Sequence, residues 1–140
     1  IGYCGHLGKL YLDMRLRQSK YNVTPVQSHT LLYLSKICGE REVMQRDLER
    51  ELHLKASTVN GIVDRLEEKG FIARRQSTED GRRRLISLTA QGQAVTETFR
   101  TALEETDRAF CAVLSPEEQE QLRNMLTRLI VNLEEEVQHA

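Results

Sequence analysis

The chain has 140 residues, of which 39% are hydrophobic and 29% are charged, and its formal net charge is −1. This length is typical of one domain, residues 1–140, and the apolar runs fall short of the ~20 residues that a membrane-spanning helix needs. The composition excludes membrane insertion by such a helix, so we expect a soluble globular domain without a membrane partner.

The cysteines indicate the compartment. Their number is odd and no two have CxxC spacing, which favours reduced thiols over a disulfide framework; they are Cys4, Cys38 and Cys111. Residues 1–20 also lack the layout of a signal peptide. We therefore expect a cytoplasmic protein.

Residues 1–42 are predicted to form two helices. In the first, residues 1–20, apolar side chains recur every three or four positions: Tyr3, Leu7, Leu10, Tyr11 and Met14. The second begins with Thr24 as N-cap, Pro25 at the first helical position and Gln27 completing a capping box. Gly39 ends this second helix.

The middle segment, residues 43–92, is predicted to contain two helices followed by a β-hairpin. A short polar helix covers residues 45–52, and after a break a second helix covers residues 56–69 and ends at Gly70. The second helix carries apolar residues at helical spacing: Val59, Ile62, Val63 and Leu66. Residues 71–76 and 84–89 are strand-like and are separated by a polar loop, so they form a hairpin, which we call the wing.

Two further helices are predicted in the C-terminal segment, residues 93–140, the first of them starting at about residue 91 and continuing to about 114. The last helix begins at Ser115, which forms a second capping box with Pro116 and Glu118. The first and last helices carry more apolar residues than one small domain needs, which favours a homodimer. The predicted fold is mainly α with a small β-hairpin wing (α+β), flanked by N- and C-terminal dimerisation helices.

Charge is segregated along the chain although the net value is small. Residues 55–84 contain eight Lys and Arg against five Asp and Glu, a net charge of +3, whereas the rest of the chain carries −4. Two helices joined by a short turn and followed by an arginine-tipped hairpin fit duplex DNA. We therefore expect double-stranded DNA as the partner.

The N-terminal half of helix 56–69 is the predicted base-reading surface, because the positive end of the helix dipole lies there and its acidic residues lie in the other half. Asn60 can form a bidentate pair with adenine, and Ser57 and Thr58 can donate to bases or phosphates. Gly61 permits close approach of the groove wall. The predicted DNA-binding set on the helices is Gln45, Lys55, Ser57, Thr58, Asn60 and Gly61.

The wing tip is predicted to enter the minor groove. An arginine on a thin loop fits that narrow groove, and we assign the insertion to Arg82. Four further arginines are suited to phosphate contacts: Arg74, Arg75, Arg83 and Arg84. Some of them have the alternative of pairing with Glu79 or Asp80, and Asp80 is expected to brace the wing.

These motifs resemble the MarR family of bacterial winged-helix repressors. The matching stretches are LEREL (residues 48–52), STV (57–59), VDRLEEKGFIAR (63–74), EDGRRR (79–84) and LISLTAQG (85–92). The resemblance implies a winged helix-turn-helix in a homodimer with interlocking terminal helices. It also implies a palindromic operator, from which a phenolic ligand, another small molecule or cysteine oxidation releases the protein.

Two positions depart from the family pattern. His53 stands where the family often has glycine, and Lys55 stands where it often has a Ser or Thr helix cap. The turn between the two helices of the middle segment is therefore expected to be less rigid.

Three alternatives differ in the chemistry they need. Cys4 is the candidate redox sensor, because oxidant-sensing relatives use an N-terminal cysteine. A winged helix can also serve as a protein-interaction module, although the wing shows none of the exposed aromatic residues expected of one. Catalysis has no support, since no nucleophile–base set or phosphate loop is present and the histidines lack metal-ligand spacing. We expect no enzyme activity, metal or cofactor.

Overall fold

The computed structural model describes residues 1–79 and 81–140 and divides into two compact units, Ile1–Glu104 and Glu105–Ala140. The helices are α1 (Gly2–Arg17), α2 (Pro25–Ile37), α3 (Gln45–Leu52), α4 (Ala56–Glu68), α5 (Ala90–Cys111) and α6 (Pro116–His139), and the strands are β1 (Val43–Met44), β2 (Ile72–Gln76) and β3 (Arg84–Leu88). This architecture confirms the predicted mainly helical fold with a small β wing.

The division between the units falls later in the chain than the predicted limit after residue 92. The reason is that α5 begins inside the first unit, where Val95 and Phe99 are fully buried. The first three turns of α5 thus contribute to the core of the first unit. The prediction of a single domain over residues 1–140 stays a prediction.

Two helix starts follow from local capping chemistry. At α2 the backbone N–H of Gln27 donates to Thr24 Oγ1 over 3.3 Å, and the N–H of Thr24 donates to Gln27 Oε1 over 3.2 Å. At α6 the same reciprocal pair joins Ser115 and Glu118. Each side-chain cap stabilises its helix by about 1 kcal/mol. Both predicted capping boxes are confirmed.

The sheet has three antiparallel strands in the order β1-β3-β2, one more strand than the predicted hairpin. In the added pairing, Val43 lies opposite Ile86 and Met44 opposite Leu85. A two-residue strand has no alternation to detect, so the sequence pattern could not reveal β1. Its effect is to attach the wing to the start of α3.

The core of the first unit is built around α4. Val59, Val63 and Leu66 are fully buried and pack in one cluster with Leu48 of α3 and Leu34 of α2. This cluster follows the predicted helical spacing, because residues three and four apart lie on one face of a helix. The opposite face of α4 consequently points outward.

The turn between α3 and α4 contains a left-handed residue. His53 has φ 54° and ψ 43°, a conformation that glycine adopts at low cost and other residues adopt rarely. A histidine therefore adopts here a backbone conformation that favours glycine. Lys55 caps α4 by position only, since its side chain makes no cap hydrogen bond.

A close backbone junction joins the end of α4 to the start of α5. Gly70 has φ +79°, and its carbonyl accepts a 2.6 Å hydrogen bond from Thr89 Oγ1. The N–H of Gly92 donates to the same Thr89 oxygen over 3.0 Å, and a Cβ at Gly92 would lie 1.9 Å from the Phe71 carbonyl oxygen. Only glycine fits at position 92.

Helices α1 and α6 leave their apolar faces exposed. Neither helix has a buried residue. In α1 the exposed apolar side chains include Tyr3, Leu7, Leu10 and Met14. In α6 they include Met125, Leu126, Leu129, Ile130, Leu133 and Val137. Within the described part of the chain, no helix combines the length and the apolarity needed to cross a membrane.

Two glycine-to-alanine substitutions are expected to have opposite effects on stability. Gly92→Ala forces a methyl group into the Phe71 carbonyl and lowers the free energy of unfolding by roughly 2 kcal/mol or more. Gly61→Ala, in the middle of α4 with no atom within 4 Å of its Cβ position, raises it by about 0.5–1 kcal/mol through helix propensity. Urea denaturation followed by circular dichroism measures both, and equal effects would contradict the junction.

Candidate nucleic-acid interface

The outward face of α4 presents small polar side chains. Ser57, Thr58 and Asn60 are exposed, and the space around Gly61 is open. Lys55 is exposed at the N-terminus of the helix, where backbone N–H groups lack intrahelical partners and the helix dipole is positive. The structure therefore brings five of the six predicted helix residues to one surface that attracts anions.

Gln45, the sixth, lies at the base of this surface and is half-buried. Its Nε2 donates to the backbone carbonyl of Ala56 over 3.3 Å. This bond ties the first residue of α3 to the first turn of α4. Gln45 thus holds the two helices of the turn together where α4 begins.

The wing carries a second basic surface. Arg82, Arg83 and Arg84 are exposed, and the loop between the strands is closed by the N–H of Ser77, which donates to the Arg83 carbonyl over 2.8 Å. Arg75 is also exposed, and its Nη2 lies 3.6 Å from Oε1 of Glu42. An exposed ion pair of this kind contributes little to stability. Asp80, predicted to brace the wing, lies outside the described residues.

Arg74 lies apart from the other wing arginines, with only 16% of its side chain exposed. Its Nη2 donates to Asp64 Oδ1 over 2.7 Å and to Glu67 Oε1 over 2.9 Å, and its Nε donates to Glu67 Oε2 over 3.3 Å. These bonds, first of all those with Glu67, raise the pKa of the Arg74 guanidinium. The hydrogen bonds from Arg74 in turn lower the pKa of Glu67. The sequence predicted that Arg74 contacts a phosphate or pairs with Glu79 or Asp80. In the structure its partners are instead on α4.

Asp64 has a second partner that sequence reasoning missed. Its Oδ2 accepts a 3.3 Å hydrogen bond from Nδ2 of Asn60. The signal was present in the sequence, because residues four apart on a helix are neighbours and an amide–carboxylate pair at that spacing interacts. The candidate adenine-reading side chain is therefore held by its own helix.

A second basic side chain of the +3 segment is also used internally. Nζ of Lys69 donates to the Asn22 carbonyl over 2.7 Å and to Gln27 Oε1 over 2.9 Å. These bonds join the end of α4 to the start of α2. The segment's outward positive charge therefore comes from its other basic residues, among them Lys55 and the exposed wing arginines.

The three cysteines have different surroundings. Cys4 is exposed on α1, and Cys111 is half-buried. Burial raises the pKa of the half-buried Cys38 thiol, whose Sγ donates weakly to the Ile86 carbonyl over 3.8 Å. Among residues 1–79 and 81–140, no three His, Cys, Asp or Glu side chains are arranged to hold a metal ion.

A cavity of about 480 Å³ lies between α2 and α3. Its lining is apolar at Val26, Leu32 and Leu52 and polar or charged at His29, Tyr33, Lys36 and Glu51. This volume is within the range of small-molecule sites. Glu51 and Leu52 belong to α3, so the first helix of the helix-turn-helix forms one wall of the cavity.

Comparison with known proteins gives consistent matches. The model of the MarR family matches residues 21–83. The chain is 30% identical over 121 residues to the HTH-type transcriptional repressor MdtR of Bacillus subtilis, covering 86% of this chain and 76% of that protein.

Solved structures of Staphylococcus aureus MepR are similar over nearly the whole chain. The MepR–DNA complex is 31% identical, covers 91% of both chains and has a TM-score of 0.74. MepR bound to ethidium bromide is 32% identical, covers 92% of this chain and 90% of that one, and has a TM-score of 0.66. The similarity therefore extends over the helices on both sides of the wing.

Proposed function

This chain belongs to the MarR family of transcriptional regulators, and we propose that it is a cytoplasmic, homodimeric repressor that binds a palindromic operator and is released by a small molecule. The observation that carries the proposal is the outward face of α4, whose uncharged N-terminal half exposes Ser57, Thr58 and Asn60. The MepR structure that contains DNA supports the same assignment.

Base reading is proposed for the exposed N-terminal half of α4. A helix of this size fits the major groove of duplex DNA, where Asn60 meets adenine and Ser57 and Thr58 meet bases or phosphates. The open surface at Gly61 lets the helix approach closely. Lys55 and the helix N-terminus add a favourable electrostatic contact with phosphate.

Minor-groove contact is proposed for the wing. Arg82 lies in the loop between β2 and β3 and is exposed. A guanidinium on such a loop senses the narrow, strongly negative minor groove of A/T-rich DNA. Arg75, Arg83 and Arg84 supply the surrounding phosphate contacts, which strengthen binding without adding sequence information.

Dimerisation is proposed from the apolar faces of the terminal helices. A continuous stripe on α6 is about half-exposed from Met125 to Val137, and α1 has a similar stripe. Contiguous exposed apolar surface of this kind marks an interaction site. A second copy of the chain covers it in a two-fold arrangement, so that two α4 helices read half-sites about 34 Å apart.

Release by a phenolic effector is proposed from the cavity between α2 and α3. Its apolar residues suit an aromatic ring, and Lys36 suits a carboxylate or phenolate. A ligand in this position touches α3, whose geometry relative to α4 sets the base-reading surface. The MepR structure with ethidium bromide supports small-molecule binding in a related protein.

Selection from random duplex DNA tests the DNA-binding proposal. The wild-type protein is expected to enrich a palindrome, and Arg82→Ala is expected to weaken binding to it by roughly 5- to 150-fold. Arg128→Ala on α6 removes the same charge outside the wing and is expected to leave affinity within about twofold. Enrichment of no sequence would favour a protein-interaction module, and unchanged affinity of Arg82→Ala would remove the wing from the interface.

A charge on the α6 stripe tests the dimer. Leu129→Glu is expected to convert the protein to a monomer, because a buried unpaired carboxylate is costly in an apolar interface. Asn124→Glu adds the same charge on the opposite side of α6 and is the matched control. Sedimentation equilibrium measures both, and a Leu129→Glu protein that stays dimeric would contradict the assignment of this face.

A third experiment separates ligand release from redox release. Phenolic acids such as salicylate are expected to release operator DNA from the wild type and from Cys4→Ser, but not from Val26→Trp, whose indole fills the cavity. Hydrogen peroxide is expected to release operator DNA from none of the three proteins. Fluorescence anisotropy of labelled operator provides the readout. Peroxide release that Cys4→Ser abolishes would establish the redox alternative instead, and no response to any phenolic acid would contradict the effector class.

A further inference from the structure

A chain of hydrogen bonds links β2 of the wing to the candidate base-reading side chain. Glu67 binds Arg74 through two nitrogens, Arg74 binds Asp64 over 2.7 Å, and Asp64 binds Asn60 over 3.3 Å. We call Glu67, Arg74 and Asp64 the clamp. The clamp uses both oxygens of Asp64, one for the arginine and one for the amide.

The chemistry of the clamp determines the orientation of the Asn60 carboxamide. An ionised carboxylate only accepts hydrogen bonds, so the amide nitrogen of Asn60 must face Asp64. Because the carboxamide is planar, its carbonyl oxygen lies on the side away from Asp64. Asn60 thus presents a defined acceptor, Oδ1, beside the one N–H that the clamp does not use.

Arg74 holds the Asp64 carboxylate in place over 2.7 Å. Its guanidinium binds two carboxylates, and at 16% exposure it is the least exposed member of the clamp, whereas 44% of the Asp64 side chain is exposed. Without this cation, Asp64 would lose its charge-assisted partner and add an uncompensated negative charge to the DNA-facing helix. With it, charge-assisted hydrogen bonds hold the carboxylate in one geometry.

The geometry points to Asp64 and Arg74 as positioning residues that determine with which base Asn60 forms hydrogen bonds. This inference rests on the proposed function and deepens it. An outward Oδ1 requires a hydrogen-bond donor in the major groove, which adenine N6 and cytosine N4 supply and guanine and thymine lack. Adenine is preferred, because its N7 also accepts the remaining N–H of Asn60.

Loss of the clamp lets the Asn60 amide turn over. Its Nδ2 then donates to guanine O6 or thymine O4 about as readily as Oδ1 accepts from adenine. Discrimination falls at the one base pair that Asn60 reads in each half-site. The phosphate contacts and the other base contacts do not depend on the clamp.

Selection from random duplex DNA tests this inference with five proteins: the wild type, Asn60→Ala, Asp64→Ala, Arg74→Gln and Glu68→Ala. Asn60→Ala identifies the position that Asn60 reads. At that position, Asp64→Ala and Arg74→Gln are each expected to reduce the preference for adenine over guanine by roughly tenfold. Glu68→Ala removes a carboxylate from the exposed end of the same helix and is expected to leave the preference unchanged.

Total affinity provides a readout that general damage to the fold would not reproduce. Asp64→Ala removes a negative charge from the interface and is expected to bind the wild-type palindrome at least as tightly as the wild-type protein does. Arg74→Gln removes a positive charge and is expected to bind the same palindrome more weakly than the wild-type protein does. Circular dichroism melting curves verify that both variants are folded.

The outcomes separate the two proposals. A wild-type palindrome that Asp64→Ala leaves unchanged at the Asn60 position overturns the role of the clamp and leaves DNA binding intact. Loss of preference spread evenly over the half-site also overturns it. If the wild type enriches no sequence, DNA binding itself fails and the inference fails with it.

Discussion

Burial of one face of α4 is the constraint on which the rest of the first unit depends. Val59, Val63 and Leu66 are fully buried against side chains from α2 and α3, and each such side chain contributes roughly 1.5–3 kcal/mol of hydrophobic stabilisation. Rotating the helix would expose this stripe and bury polar groups at comparable cost. The face that carries Ser57, Asn60 and Gly61 is therefore outward because the opposite face is inward.

The wing is held to this helix by polar bonds and close backbone contacts. Arg74 joins β2 to α4 through two carboxylates. Thr89, between β3 and α5, donates to the Gly70 carbonyl, and Gly92 allows α5 to start against Phe71. Each contact is between groups that lie seven or more positions apart in sequence and that the fold brings together. Together they set the position of the wing relative to α4.

Local chemistry accounts for the parts that could be predicted. Thr24 and Ser115 start helices with partners three residues away, and the apolar residues of α4 share a face at helical spacing, so both follow from neighbouring residues. The short strand β1, the partners of Arg74 and the internal use of Lys69 could not be predicted in the same way. Each depends on a residue that only the folded chain brings near.

The sequence by itself determined the order of the elements, the identity of the exposed polar residues on α4 and the basic loop of the wing, because helical periodicity, caps and turn residues act over a few positions. Only the tertiary structure decided which basic side chains face outward and how Asn60 is oriented. Charge along a chain does not specify pairing. Arg74 and Lys69 count toward the +3 segment, yet packing against α4 and α2 directs both toward internal partners.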